Sequence, residues 1–233
     1  MLIKLGDIVG QASGSLRSNT YSHNRFGAYV RNRTIPVNPN SARQSTVRTA
    51  MQILTNLWGS TLTAAQRAQW TSYGDEVEVI NRLGDTVKLT GLNHYVRSNL
   101  PRLIAGLARV DAGPAEHSLP ATDETAIATY TADDQKVAVA FDDTMDYLDE
   151  DDAGLLVYTG TPVNSSIEFF NGPFRFTDSI DGDSVTPLTS PQELDSPFVF
   201  QEDQQVFTRF RISLADGRLS NFFRLGSGIV AAS

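Results

Sequence analysis

Residues 111–124 read DAGPAEHSLPATDE, and the two sides of this stretch follow different rules. Before it, apolar residues recur at intervals of three and four, the spacing of an amphipathic helix; after it they recur at every second position, the spacing of a strand. Gly113, Pro114 and Pro120 among small polar residues break both patterns, so the stretch is expected to be a linker. The charge changes sign at the same place. Residues 1–110 hold 13 Lys and Arg against 5 Asp and Glu, a net of +8, whereas residues 111–233 hold 6 against 22, a net of -16. The formal total of -8 over 233 residues therefore hides a basic half joined to an acidic half. Two domains are expected, residues 1–110 and 125–233, with 111–124 between them.

On the C-terminal side, TAIATYT (125–131), KVAVAFD (136–142), GLLVYTG (154–160), PFRFTDS (173–179), QVFTRFRISL (205–214) and GRLSNFFRL (217–225) are short apolar or alternating runs. Clusters of Asp, Gly, Pro and Ser separate them. Six or seven strands in this length predict an antiparallel β-sandwich. Asp216-Gly217 between two alternating runs is the strongest hairpin signal in the chain.

On the N-terminal side, Arg17, Arg25, Arg31 and Arg33 are interleaved with Leu16, Tyr21, Phe26, Tyr29 and Val30. This reads as two short strands around a turn near residues 22–27, a β-arm too poor in apolar residues to form its own core. Pro36 and Pro39 end it. Ser41 with Gln44, and Thr63 with Gln66, have the Ser/Thr-x-x-Gln spacing in which each side chain satisfies the other residue's free N–H at a helix start. The first box begins a helix carrying Val47, Ala50, Met51, Leu54, Leu57 and Trp58 on one face, through to Gly59. The second begins one carrying Trp70, Tyr73 and Val77 with a stop at Gly74, and the pair is expected to form a helical hairpin. VINRLGDTVKLTG is expected to be a β-excursion turning at Gly84-Asp85. A third helix through Leu92, Tyr95, Leu100 and Leu107 should kink or restart at Pro101, which lacks an N–H and collides with the preceding turn. The fold class is thus α+β: a β-arm, three helices and a sandwich.

GSLRSNTYSHNRFGAYVRNRTIPVNPNSARQ (14–44), LTAAQRAQW (62–70) and NRLGDTVKLTGLNHYVRSN (81–99) resemble a group of uncharacterised structural proteins encoded in tailed-bacteriophage virion gene clusters. The C-terminal hairpin resembles the last two strands of immunoglobulin-like and fibronectin type III-like modules. The resemblance implies a virion component made in the host cytoplasm and carries over no catalytic or binding residue.

Function classes can be weighed against the same residues. No Cys is present, which removes disulfides, thiolate nucleophiles and Cys-bound zinc. His23, His94 and His117 lie apart without the spacing of a metal or nuclease motif, and His94 is expected on a helix surface or at a cap. The run DDTMDYLDEDD (142–152) has seven acidic residues in eleven. As a calcium loop from Asp149 it fails, because Ala153 and Gly160 fall where ligating side chains are needed. A looser calcium site with Asp181 or Asp183, or a solvated loop, is what remains. No phosphate-binding glycine loop occurs, and Ser13 lacks a nucleophile elbow. No catalytic residue, cofactor, metal, membrane span or small-molecule substrate is expected. The arm is the candidate partner-binding element, with Arg17, Tyr21, Arg25, Phe26, Tyr29, Arg31 and Arg33 as its contact residues. Guanidinium groups among aromatics suit carboxylate-rich protein surfaces, and they also suit phosphates and stacked bases. The protein reading has the advantage, since the acidic half supplies a complementary surface on other copies and repels DNA. The expected role is a non-enzymatic virion protein in capsid decoration or a head-to-tail or tail position, partnered by itself and other virion proteins. Its rivals are a nucleic-acid-binding protein and a glycan-binding adhesion module.

Overall fold

A computed structural model describes residues 12–24, 27–35, 37–81, 84–223 and 227–231. The chain divides into two compact units, with the boundary between Ala42 and Arg43. The first is the arm: β1 (Gly14–Leu16), β2 (Asn19–Asn24) and β3 (Gly27–Asn32) form an antiparallel sheet in that order. The two expected strands are β2 and β3, in register with Tyr21 opposite Val30 and Ser22 opposite Tyr29. The third strand, GSL, has no alternation by which a sequence could reveal it. Arg17 takes a left-handed conformation (φ 53°) where β1 turns into β2.

The larger unit starts with α1 (Ala42–Ser60), which begins directly after Ser41; of its expected apolar face Ala50 and Leu54 are buried, whereas Val47 and Met51 are exposed. At α2 (Ala64–Glu76) both halves of the capping box are made: Gln66 N donates to Thr63 Oγ1 at 3.2 Å, and Thr63 N donates to Gln66 Oε1 at 2.9 Å. Gly74 does not stop this helix, which runs two residues further. The glycine instead lets the helix touch the following segment, since a Cβ there would lie 2.5 Å from Leu89 O. β4 (Glu78–Ile80) and β5 (Thr86–Lys88) form the expected excursion, with Gly84 at φ +90° in the turn. α3 (Gly91–Ala105) passes through Pro101 without restarting and ends at Gly106 in the left-handed conformation. The main helix partner of α2 is α3 rather than α1. Leu54, Leu62, Trp70, Tyr73, Val77 and Tyr95 form the core of this part.

Next come β6 (Ile127–Thr131), β7 (Lys136–Ala140), a 3₁₀ turn at Asp146–Leu148, β8 (Gly154–Gly160), β9 (Val163–Asn164), β10 (Phe174–Asp181), β11 (Gln192–Asp195), β12 (Gln204–Ser213) and β13 (Ser227–Ile229). They make two antiparallel sheets, β11-β7-β6 and β10-β8-β12-β13 with β9 also on β12. Thr131 bridges to Ala231 across the two. One buried cluster draws on both sheets, including Tyr130, Val137 and Val139 from one and Leu155, Val157, Ile180, Val206, Phe210 and Ile212 from the other. The Asp216-Gly217 turn closes as read, but among the described residues the expected strand after it is reduced to isolated bridges of Leu219 to Ser213 and Phe223 to Phe210. Leu214 N donates to Arg218 O, and Phe210 and Phe223 exchange backbone hydrogen bonds of 2.8 and 3.1 Å.

The alternate positions of β8 and β12 point to the opposite face of their sheet, because side chains alternate along a strand. Leu107, expected on the third helix but lying just past its end, clusters there with Leu156 and Leu219. Arg102, fully buried in α3, donates to Ser213 Oγ at 3.0 Å and Leu214 O at 2.7 Å, and Arg97 donates to Leu219 O at 2.8 Å and Ser220 O at 2.9 Å. These bonds pin α3 to the C-terminal hairpin. Residues 111–124 therefore lie within one compact unit instead of separating two. Trp70 Nε1 donates to Asp111 O at 3.0 Å, Pro114, Pro120 and Asp123 are buried, and a Cβ on Gly113 would lie 2.6 Å from the backbone of Gln69 and Trp70. The composition of this stretch marks a bend in the chain. Its packing is set by the helix beneath it. Among the described residues no helix is long and apolar enough to cross a membrane.

Candidate functional site

The arm places its candidate residues by strand alternation. Tyr29 and Arg31 share one face with Thr20 and Ser22, and Arg33 continues that face one step beyond β3, where its N–H donates to Ser18 O at 2.6 Å. Tyr21 lies on the other face beside Val30. The expected contact set is thus split, with one face bearing an aromatic ring and two guanidinium groups. Arg17 sits in the β1–β2 turn. Arg25 and Phe26 fall outside the described residues. Arg17, Arg31 and Arg33 are exposed, and among the described residues none of the three is in an ion pair. No residue of the arm from 12 to 42 whose burial is described is buried.

The acidic run 142–152 is spent largely on backbone. Asp142 Oδ1 accepts from Thr144 N and Oγ1 at 3.0 and 2.6 Å, which holds its carboxyl below the usual range. Asp151 Oδ1 accepts from Ser184 N at 2.9 Å, and Asp152 Oδ1 from Ala108 N at 3.2 Å. Asp183 caps Val185 and Thr186 in the same way. Among the described residues no group of three or more His, Asp or Glu is arranged to hold a metal ion.

His94 is not on a helix surface. It is fully buried edge-on to Tyr73, with ring centroids 5.0 Å apart. Burial, reinforced by the nearby Arg97 charge, holds its pKa down at about 4. It is a neutral core residue. His117 reaches the surface and pairs with Glu76 at 2.8 Å.

A second cationic cluster went unread in the sequence. Arg97, Arg209 and Arg211 line one cavity of about 740 Å³. Arg209 and Arg211 are two apart on β12 and so share a face, and their guanidinium carbons lie 3.8 and 4.1 Å from the centre of the Phe222 ring. Burial is the main cause that lowers the Arg211 pKa to about 9 and that of Arg97 to about 10, and for Arg211 the charges of Arg97 and Arg209 add to it. The spacing Arg-x-Arg within an alternating run was a visible signal that both point one way. Arg97, more than a hundred residues earlier, could not be joined to them without the fold.

Comparison with protein-family models, curated proteins and solved structures finds no match for this chain.

Proposed function

We propose that this chain is a non-enzymatic structural component of a tailed-phage particle, assembling through protein contacts of its basic arm. The observation carrying the reading is the arm itself. It is a separate compact unit whose exposed Arg17, Arg31 and Arg33 have no ion-pair partners among the described residues, and none of its residues whose burial is described is buried. A three-stranded sheet without a core gains stability by packing on something else. Guanidinium forks beside an aromatic ring fit the acidic surface that residues 111–233 of another copy supply. Many copies binding together would offset the cost of ordering each arm. In this reading the two sheets over one core form an immunoglobulin-like or fibronectin III-like sandwich, which keeps an acidic, solvated surface on the particle.

Electron cryomicroscopy of intact particles tests the proposal. The expected result is density for this chain with its arm laid over an adjacent subunit, and absence of the chain from purified particles overturns it. A nucleic-acid reading draws on the same face, since Tyr29, Arg31 and Arg33 could stack on bases and meet phosphates. It requires retention on DNA whose log affinity falls steeply with log salt and is lost when Arg31 and Arg33 become Ala.

A further inference from the structure

The cavity lined by Arg97, Arg209 and Arg211 is built unlike a structural ion-pair network. Among the described residues lining it there is no Asp or Glu. Arg97 is turned toward backbone carbonyls and Asn221 Oδ1, and the ring of Phe222 lies against both Arg209 and Arg211. Arg211, which lines the cavity, donates from Nε to Ser220 O at 3.1 Å, and among the described residues its two terminal nitrogens make no hydrogen bond. Arg97 and Arg211 are like charges drawn partly out of water, and two partly desolvated cations side by side are costly. A protein needing only packing here would be better served by apolar side chains. The amide groups of Asn81, Asn171 and Asn221 line the same space and add neutral polar groups.

We propose that this cavity is an oxyanion-binding site, in which the fork of Arg211, flanked by Arg97 and Arg209, takes a carboxylate or phosphate group against the Phe222 and Phe174 walls. Arginine's planar donors match both oxyanions in bidentate geometry. The anion has two possible sources, a small phosphate-bearing ligand or a carboxylate from an acidic segment of a second copy of this chain. The site is independent of the arm and goes beyond the assembly reading above.

The test uses the full chain, with isothermal titration and thermal unfolding against inorganic phosphate and, separately, against a peptide of residues 142–152. One saturable site per chain and an upward shift in Tm are expected with at least one of the two. Phosphate alone identifies the small-ligand source, and the peptide alone identifies the second copy. In Arg211→Gln the binding weakens about tenfold or more, since a charge-assisted pair is lost, whereas Lys136→Ala, which removes a cation outside the cavity, leaves it unchanged. Arg211→Gln without anion should unfold no earlier than the native chain, because a repelling charge has gone. Should that variant prove unstable, Arg211→Lys, which keeps the charge and loses the fork, is expected to fold and to bind more weakly. The proposal is overturned if neither anion binds, or if the Arg211 variants bind as tightly as the native chain.

Discussion

The arm and the larger unit spend arginine in opposite ways. In the larger unit Arg97 and Arg102 are turned inward and tie α3 to the C-terminal hairpin through backbone carbonyls. In the arm Arg17, Arg31 and Arg33 face solvent on a sheet that buries nothing described. The same residue type is mortar in one region and an unspent contact in the other. Which role it takes follows from whether the surrounding sequence can bury apolar surface. Residues 43–233 supply two aromatic-rich cores. The described residues of 12–42 supply none.

That contrast can be broken first by truncation in the core. Trp70 is fully buried, lies edge-on to Tyr73 and Tyr95 with ring centroids 5.9 and 5.7 Å away, and bonds to Asp111 O. Trp70→Ala is expected to cost about 3–5 kcal/mol in denaturant unfolding. A loss below about 1 kcal/mol would mean that the packing of residues 111–124 on α2 is misplaced.

Acid should act next, and only on the larger unit. His94 is held at about 4 when folded against 6.5 when free, so the unfolded chain takes up its proton first as pH falls. The stability it preserves is complete above pH 6.5, declines through the window from 6.5 to 4 and is gone below it. The expected loss is about 3 kcal/mol. His94→Gln should flatten that window in a plot of unfolding free energy against pH, and an unchanged slope would contradict the buried, neutral assignment.

Gly113→Ala sharpens the comparison at a single methyl group. The added Cβ would meet the backbone of Gln69 and Trp70 at 2.6 Å, which a flexible side chain cannot relieve. A loss of about 1–3 kcal/mol is expected from overpacking, where an actual linker would tolerate the change. The smallest effect belongs to the arm. Arg31→Ala with Arg33→Ala should change unfolding of the isolated chain by no more than about 0.5 kcal/mol, since these side chains are exposed and unbridged.

Local signals in the sequence translated well into local structure. The Thr63 and Gln66 box, the turn at Gly84, the Asp216-Gly217 hairpin and the alternating strands are each written in a few neighbouring residues. What could not be read was long-range. The Pro- and Gly-rich stretch 111–124 has the composition of a linker, yet its glycine is there for close approach to α2 and its prolines are buried. Gly74 carried a stop signal that a contact with Leu89 overrode. His94 looked like a surface residue because nothing local shows that Tyr73 and Arg97 enclose it. The arm's candidate residues could be named from the sequence, but the separation of Tyr21 from Tyr29 and Arg31 onto two faces needed the strand register. The cavity of Arg97, Arg209 and Arg211 joins residues over a hundred positions apart, and no window of sequence contains it.

The central claim is that the arm, rather than the larger unit, makes this chain assemble. Sedimentation velocity of the full chain over a wide concentration range, beside the Arg17→Ala, Arg31→Ala, Arg33→Ala variant, addresses it most directly. The account predicts concentration-dependent assemblies for the native chain that raised salt dissolves, and a monomer for the variant. A native chain that stays monomeric throughout, or a variant that assembles equally well, would contradict it.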